Sequence, residues 1–118
     1  MRLGITEFID CAHFLPGHVK CGRLHGHTYK VEVIVEGDSS QGMLVDFGDL
    51  KAETRKVLER YDHRNWNDVL EYPSVENICE LLSRELKSQI DLPFVIRVWE
   101  GNGKWAEMSE GAGLTPPG

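Results

Sequence analysis

A cysteine stands four residues ahead of two histidines in the segment Cys21-Gly22-Arg23-Leu24-His25-Gly26-His27. Histidines two apart on an extended strand share a face and can grip one ion, and Gly26 leaves the opposite face uncrowded. A further histidine, His13, lies upstream in Phe8-Ile9-Asp10-Cys11-Ala12-His13. Three imidazoles leave one of zinc's tetrahedral positions open to water or substrate, which is the catalytic arrangement. Single histidines are usually surface or hydrogen-bonded core residues, but this pair extends an alternating pattern. His25 and His27 fall in one row with Tyr29, Val31, Val33 and Val35, while Thr28, Lys30 and Glu32 take the other face. Such alternation marks a half-buried strand, and imidazoles on its buried row need a donor, an acceptor or a metal.

Other residues supply acid–base chemistry. Cys21 lies in a turn-like segment with Lys20 and Arg23, whose charges favour a thiolate, so it is the candidate base or nucleophile. Cys11 and Cys79 fall in a strand and on a helix stripe and read as inert. Asp62-His63, in the polar stretch Tyr61 to Asp68, pairs an acid with an imidazole that it could poise for proton transfer. Glu100 shares parity with Phe94, Ile96 and Val98, so a carboxylate ends an apolar row and wants donors, such as the two parallel N–H groups of an aminopyrimidinone ring.

These groups need a scaffold. Arg2 to Asp10 reads as a strand with Leu3, Ile5 and Ile9 on one face, broken around Pro16-Gly17-His18, and it pairs as a hairpin with a second strand from His25 to Glu36. Asp46 caps a helix carrying Phe47, Leu50, Val57 and Tyr61 at helical spacing. A second helix starts at Pro73-Ser74 and bears the stripe Val75, Ile78, Cys79, Leu82, Leu86 and Ile90. Phe94 to Glu100 is a third strand, returned through an Asn-Gly turn at Gly101-Asn102-Gly103 to a fourth, Lys104 to Ser109. The order ββααββ is α+β, a four-stranded antiparallel sheet with two helices on one face. Its other face and its edges call for partners, hence a homo-oligomer.

At 118 residues the chain fits one domain, residues 1–110, with 111–118 expected as a disordered tail. A net charge of −6 and a pI near 5.3 argue against a nucleic-acid or anionic-membrane partner and for a small molecule. The first residues carry Glu7 and Asp10 and no apolar run of the length a signal peptide needs. Three cysteines without a CxxC pair suggest reduced thiols, so a cytoplasmic setting is expected.

Taken together, His13, the Cys21-to-Tyr29 segment, Leu44-Val45-Asp46-Phe47, Asp62-His63, Pro73-Ser74-Val75-Glu76-Asn77 and Trp99-Glu100 resemble the 6-pyruvoyl-tetrahydropterin synthase family, most of all its 6-carboxy-tetrahydropterin branch. The resemblance implies the tunnelling fold, in which trimers close a barrel of strands and stack into hexamers with active sites between subunits. It implies Zn²⁺ on His13, His25 and His27, Cys21 as the proton-abstracting thiolate, and Asp62 with His63 as its relay. Glu100 would anchor a pterin ring, assisted by the backbone near Ser74 and Val75. The substrate implied is 7,8-dihydroneopterin triphosphate, losing triphosphate and acetaldehyde in 7-deazaguanine (queuosine or archaeosine) synthesis for tRNA. Lys20, Arg23 and Arg64 could offset the triphosphate's charge.

Cys11, Trp66 and Gly101 depart from the residues usual in that family, which bears on pocket shape. Branches that release 6-hydroxymethyl-dihydropterin place a glutamate with or instead of the cysteine, and none lies between Cys21 and His25. The alternatives are a 6-pyruvoyl- or 6-hydroxymethyl-forming enzyme of pterin cofactor synthesis, and a non-catalytic zinc-binding assembly module closed by a fourth ligand such as His18 or Cys21.

Overall fold

The computed structural model describes residues 1–111. Its elements are β1 (Arg2–His13), β2 (His25–Glu36), α1 (Phe47–Leu58), a 3-10 turn (Trp66–Asp68), α2 (Val75–Lys87), β3 (Phe94–Glu100) and β4 (Lys104–Glu110). The strands form the one antiparallel sheet that the sequence predicts, in the order β1-β2-β3-β4, with β2 paired to β3 at its centre. The expected disordered tail, apart from Gly111, lies outside the described residues.

The odd-numbered row of β2 is the core row: Tyr29, Val31, Val33 and Val35 are fully buried. It meets Ile9 and Cys11 of β1, Phe94, Ile96 and Val98 of β3, and the helices. Helix α2 forms where the stripe predicts, with Ser74 Oγ accepting from Asn77 N–H at 3.2 Å as its N-cap, and Arg84 and Lys87 in its last turn. Ile78, Cys79, Leu82 and Leu86 face the sheet, so Leu82→Ala would cost about 2–5 kcal/mol. Asp46 caps α1 by accepting from Gly48 and Asp49.

Several details differ from the sequence expectation, and Tyr61 and Ile90, expected on the helix stripes, lie beyond the ends of α1 and α2. Strand β1 runs on to His13, because the pairing of Cys11 with His27 and His13 with His25 continues past Asp10. Phe47 is 57% exposed, since the first residue of α1 precedes the buried stripe, which is made instead by Leu50, Thr54, Val57 and Leu58. The β3–β4 turn has three residues and puts Gly101 in the left-handed region at φ 69°, rather than Asn102 and Gly103, so a β-branched residue there would be strained. Trp66, expected to bear on pocket shape, is a core residue stacked on Tyr61.

The sheet face away from the helices carries long polar and aromatic side chains. Lys30 lies over the Trp99 ring, Arg97 over Trp105, and Trp99 Nε1–H donates to Glu32. Among the described residues no helix is long and apolar enough to cross a membrane.

Candidate metal centre and acid–base site

Strands β1 and β2 deliver the three histidines by parity. His13 ends the buried row of β1, and its Cα partner across the ladder is His25. His27 lies next along β2, and the three rings meet edge to face with centroids 4.6 to 5.0 Å apart. Their ligating nitrogens lie within 4.8 Å of one another, and no other histidine, cysteine, aspartate or glutamate among the described residues joins that group.

Hydrogen bonds fix the tautomers. His13 Nδ1 lies 2.8 Å from Pro73 O and His25 Nδ1 2.6 Å from Arg23 O. A carbonyl only accepts, so each Nδ1 carries the proton and each Nε2 presents a lone pair. The two Nε2 atoms are nevertheless 3.1 Å apart. Two acceptors face each other at that distance only with a cation or an extra proton between them, and two nitrogens on one tetrahedral Zn²⁺ stand about 3.3 Å apart. His27 Nε2 is buried without a hydrogen-bond partner. Burial lowers the His27 pKa against the opposing pull of Glu100, which favours the neutral, ligating form. The residues present therefore fit a divalent metal, and the carbonyls of Pro73 and Arg23 play the orienting part that such ligands need.

The end of β1 is pinned from a distance. Asn67 accepts from Phe14 N–H through Oδ1 and donates to Phe14 O through Nδ2, both at 2.9 Å. Sequence periodicity gives no sign of this clamp. Glu100 ends β3 opposite Tyr29, placing its carboxylate 3.6 Å from His27 Nε2 and 4.0 Å from His13 Nε2. It thus ends the apolar row of β3, as its parity suggests, and the fold brings it to the border of the triad.

Asp62 and His63 gather elsewhere, around Asp10. Asp62 Oδ1 accepts from Asp10 N–H at 2.9 Å and lies 3.0 Å from His63 Nδ1, while Arg55 approaches Oδ2 at 3.4 Å. Burial raises the Asp62 pKa, but the Asp10 N–H bond, His63 and Arg55 outweigh it and leave the carboxyl below its ordinary range. His63 has φ 63°, a left-handed turn that lets its N–H donate to Asp10 O and Arg64 O accept from Ala12 N–H along the outer edge of β1. A cleft of about 550 Å³ opens here between Asp10, Thr28, His63 and Asn65, and it reaches His27 of the triad. Asp10 and Arg55 meet Asp62, and Thr28 meets Asp10 through its hydroxyl, only because the fold brings them together, which no local pattern in the sequence shows.

Cys21 is half-buried in the loop between β1 and β2, with Lys20 and Arg23 exposed beside it. Cys11 is buried and its thiol donates to Tyr61 O at 3.1 Å, and burial pushes its pKa up to about 11. Cys79 is raised likewise to about 11, so both are the inert thiols expected. Ser74 and Val75 begin α2 beside Pro73, whose carbonyl holds His13.

The family model for 6-pyruvoyl tetrahydropterin synthase matches residues 2–111. The chain belongs to that family. It is 41% identical over 92% of its length to an Archaeoglobus fulgidus protein provisionally named 6-carboxy-5,6,7,8-tetrahydropterin synthase, covering 95% of that protein. It is 37% identical to a dihydroneopterin monophosphate aldolase of Pyrococcus furiosus, over 67% of this chain and 72% of that one. Among solved structures, Caenorhabditis elegans 6-pyruvoyl tetrahydropterin synthase superposes with a TM-score of 0.82 at 24% identity, covering 94% of this chain and 96% of that one, a likeness of fold. The family's tunnelling fold is the one described above, and a pterin-type small molecule is the family's substrate class.

Proposed function

We propose that the protein is a zinc-dependent 6-carboxy-5,6,7,8-tetrahydropterin synthase, a lyase that takes 7,8-dihydroneopterin triphosphate and one water and releases triphosphate and acetaldehyde. The observation that carries this reading is the pair of opposed Nε2 lone pairs on His13 and His25, with His27 completing the set. The Archaeoglobus fulgidus relative supports the 6-carboxy product. Its place would be 7-deazaguanine synthesis in the cytoplasm.

Zn²⁺ on the three histidines would supply Lewis acidity toward the substrate's side-chain hydroxyls. Cys21 takes the proton from the side-chain carbon. Asp62 orients His63 through Nδ1 and leaves its Nε2 free to exchange that proton. Glu100 accepts the two ring N–H bonds of the pterin, and free N–H groups at the start of α2, near Ser74 and Val75, add donors. Lys20, Arg23 and Arg64 offset the triphosphate's charge in a chain of net charge −6. Asp62 and His63 cluster with Asp10 and not with the three histidines, which supports their serving the site of a neighbouring copy. So do the edge positions of β1 and β4, which suit closure of a barrel by three chains and stacking into a hexamer.

A second reading, formation of 6-hydroxymethyl-dihydropterin, is favoured by the likeness to the Pyrococcus furiosus aldolase. The absence of a glutamate between Cys21 and His25 weighs against it. Mass spectrometry of the zinc-loaded protein with 7,8-dihydroneopterin triphosphate decides. The 6-carboxy product with acetaldehyde is expected, whereas a 6-hydroxymethyl or 6-pyruvoyl product would replace this reading.

A further inference from the structure

The loop from Phe14 to Leu24 carries Cys21 between two strands and has no regular structure of its own. One side chain organises it. His18 Nδ1 lies 2.9 Å from the backbone nitrogen of Cys21 and 3.2 Å from that of Lys20. Both N–H groups donate, so Nδ1 is an acceptor and the ring is neutral with its proton on Nε2. A nitrogen here does what a side-chain oxygen does in an Asx turn, capping the N–H groups two and three residues on. The remaining bonds close the loop: His18 N–H donates to Leu15 O at 3.0 Å, and Leu15 N–H donates to Cys21 O at 2.8 Å. The backbone of Cys21 is thereby held at both its N–H and its carbonyl. Two glycines make this possible. Gly17 turns at φ 79°, and a Cβ on Gly22 would stand 2.5 Å from His18 O, too close for any side chain.

We propose that His18 is a positioning residue for Cys21, whose side chain fixes the backbone from which the reactive thiol is presented. His18 is thus neither a third nor a fourth metal ligand through Nδ1, since that lone pair is already engaged. The proposal rests on the reading of Cys21 as the proton-abstracting group. A thiol on a freed loop would sample many positions, and a displacement on the order of 1 Å costs up to about a hundredfold in rate.

The test compares His18→Leu, which fills the space but accepts nothing, with His18→Asn, whose Oδ1 can reach the same two N–H groups. In the zinc-loaded protein, kcat and KM are measured along with the pH profile of Cys21 alkylation by iodoacetamide, read by peptide mass spectrometry. His18→Leu is expected to lower kcat by about 10- to 100-fold with KM little changed, to shift the Cys21 profile, and to keep full zinc. His18→Asn is expected to restore both kcat and profile. Wild-type kcat and an unchanged profile in His18→Leu would overturn the proposal, as would zinc loss, or an Asn variant as impaired as Leu. Failure of the underlying reading would appear separately, as normal turnover by Cys21→Ala.

Discussion

His13 and His25 hold their Nε2 atoms 3.1 Å apart while their Nδ1 protons are committed to the carbonyls of Pro73 and Arg23. Without a cation this arrangement sets one lone pair against another, so metal binding and folding are coupled. A metal present at a hundred times its dissociation constant stabilises the native state by about 2.7 kcal/mol. Chelation should lower the melting temperature by roughly 10 °C, with zinc restoring it, as read by scanning calorimetry.

Asp62 contributes pH-dependent stability. Its folded pKa lies below the ordinary 3.8, so its contribution is present above that value and is lost as pH falls through the folded pKa. Asp62→Asn removes charge-assisted bonds to Asp10 N–H and Arg55 and should cost about 1.5 kcal/mol or more at neutral pH. Urea unfolding of both proteins should show that difference closing as the solution is acidified below the ordinary carboxylate range.

His63 adopts a left-handed conformation, φ 63°, that disfavours any side chain. His63→Gly should be more stable than His63→Ala by about 1 kcal/mol, the left-handed penalty being partly offset by glycine's greater unfolded entropy. On the proposed relay role of His63, both variants should lose turnover alike, because both lack the imidazole. Denaturant midpoints and activity together check the pair.

Glu100 borders the triad at 3.6 Å from His27 Nε2. On its proposed role as the anchor of the pterin ring, Glu100→Gln swaps one acceptor for a donor, so one ring N–H would lose a charge-assisted bond on the order of 1.5–3 kcal/mol. Calorimetric titration with a non-reactive pterin should show affinity down at least tenfold, with zinc content unchanged. Equal affinity would mean that the ring is anchored elsewhere.

Much of this was legible because strand parity is a strong signal. His25 and His27 extend the row of Tyr29, Val31, Val33 and Val35, and the same rule aligns Glu100 with Phe94, Ile96 and Val98. What was not legible depends on pairings distant in sequence. His13 is on a strand because His25 pairs with it, its tautomer is set by Pro73, and Phe14 is held by Asn67. The acid–base pair likewise owes its environment to Asp10 and Arg55, which no local pattern links to Asp62. His18, open as a ligand in the sequence, turns inward to its own loop through hydrogen bonds that depend on the turn at Gly17 and the bare Gly22.

His13, His25 and His27 are proposed to hold one zinc ion as a set. Elemental analysis of purified protein should find about one Zn²⁺ per chain, with loss in His25→Ala and in His27→Ala and full retention in His18→Leu. Full zinc in both triad variants would rule out a site shared by the three histidines.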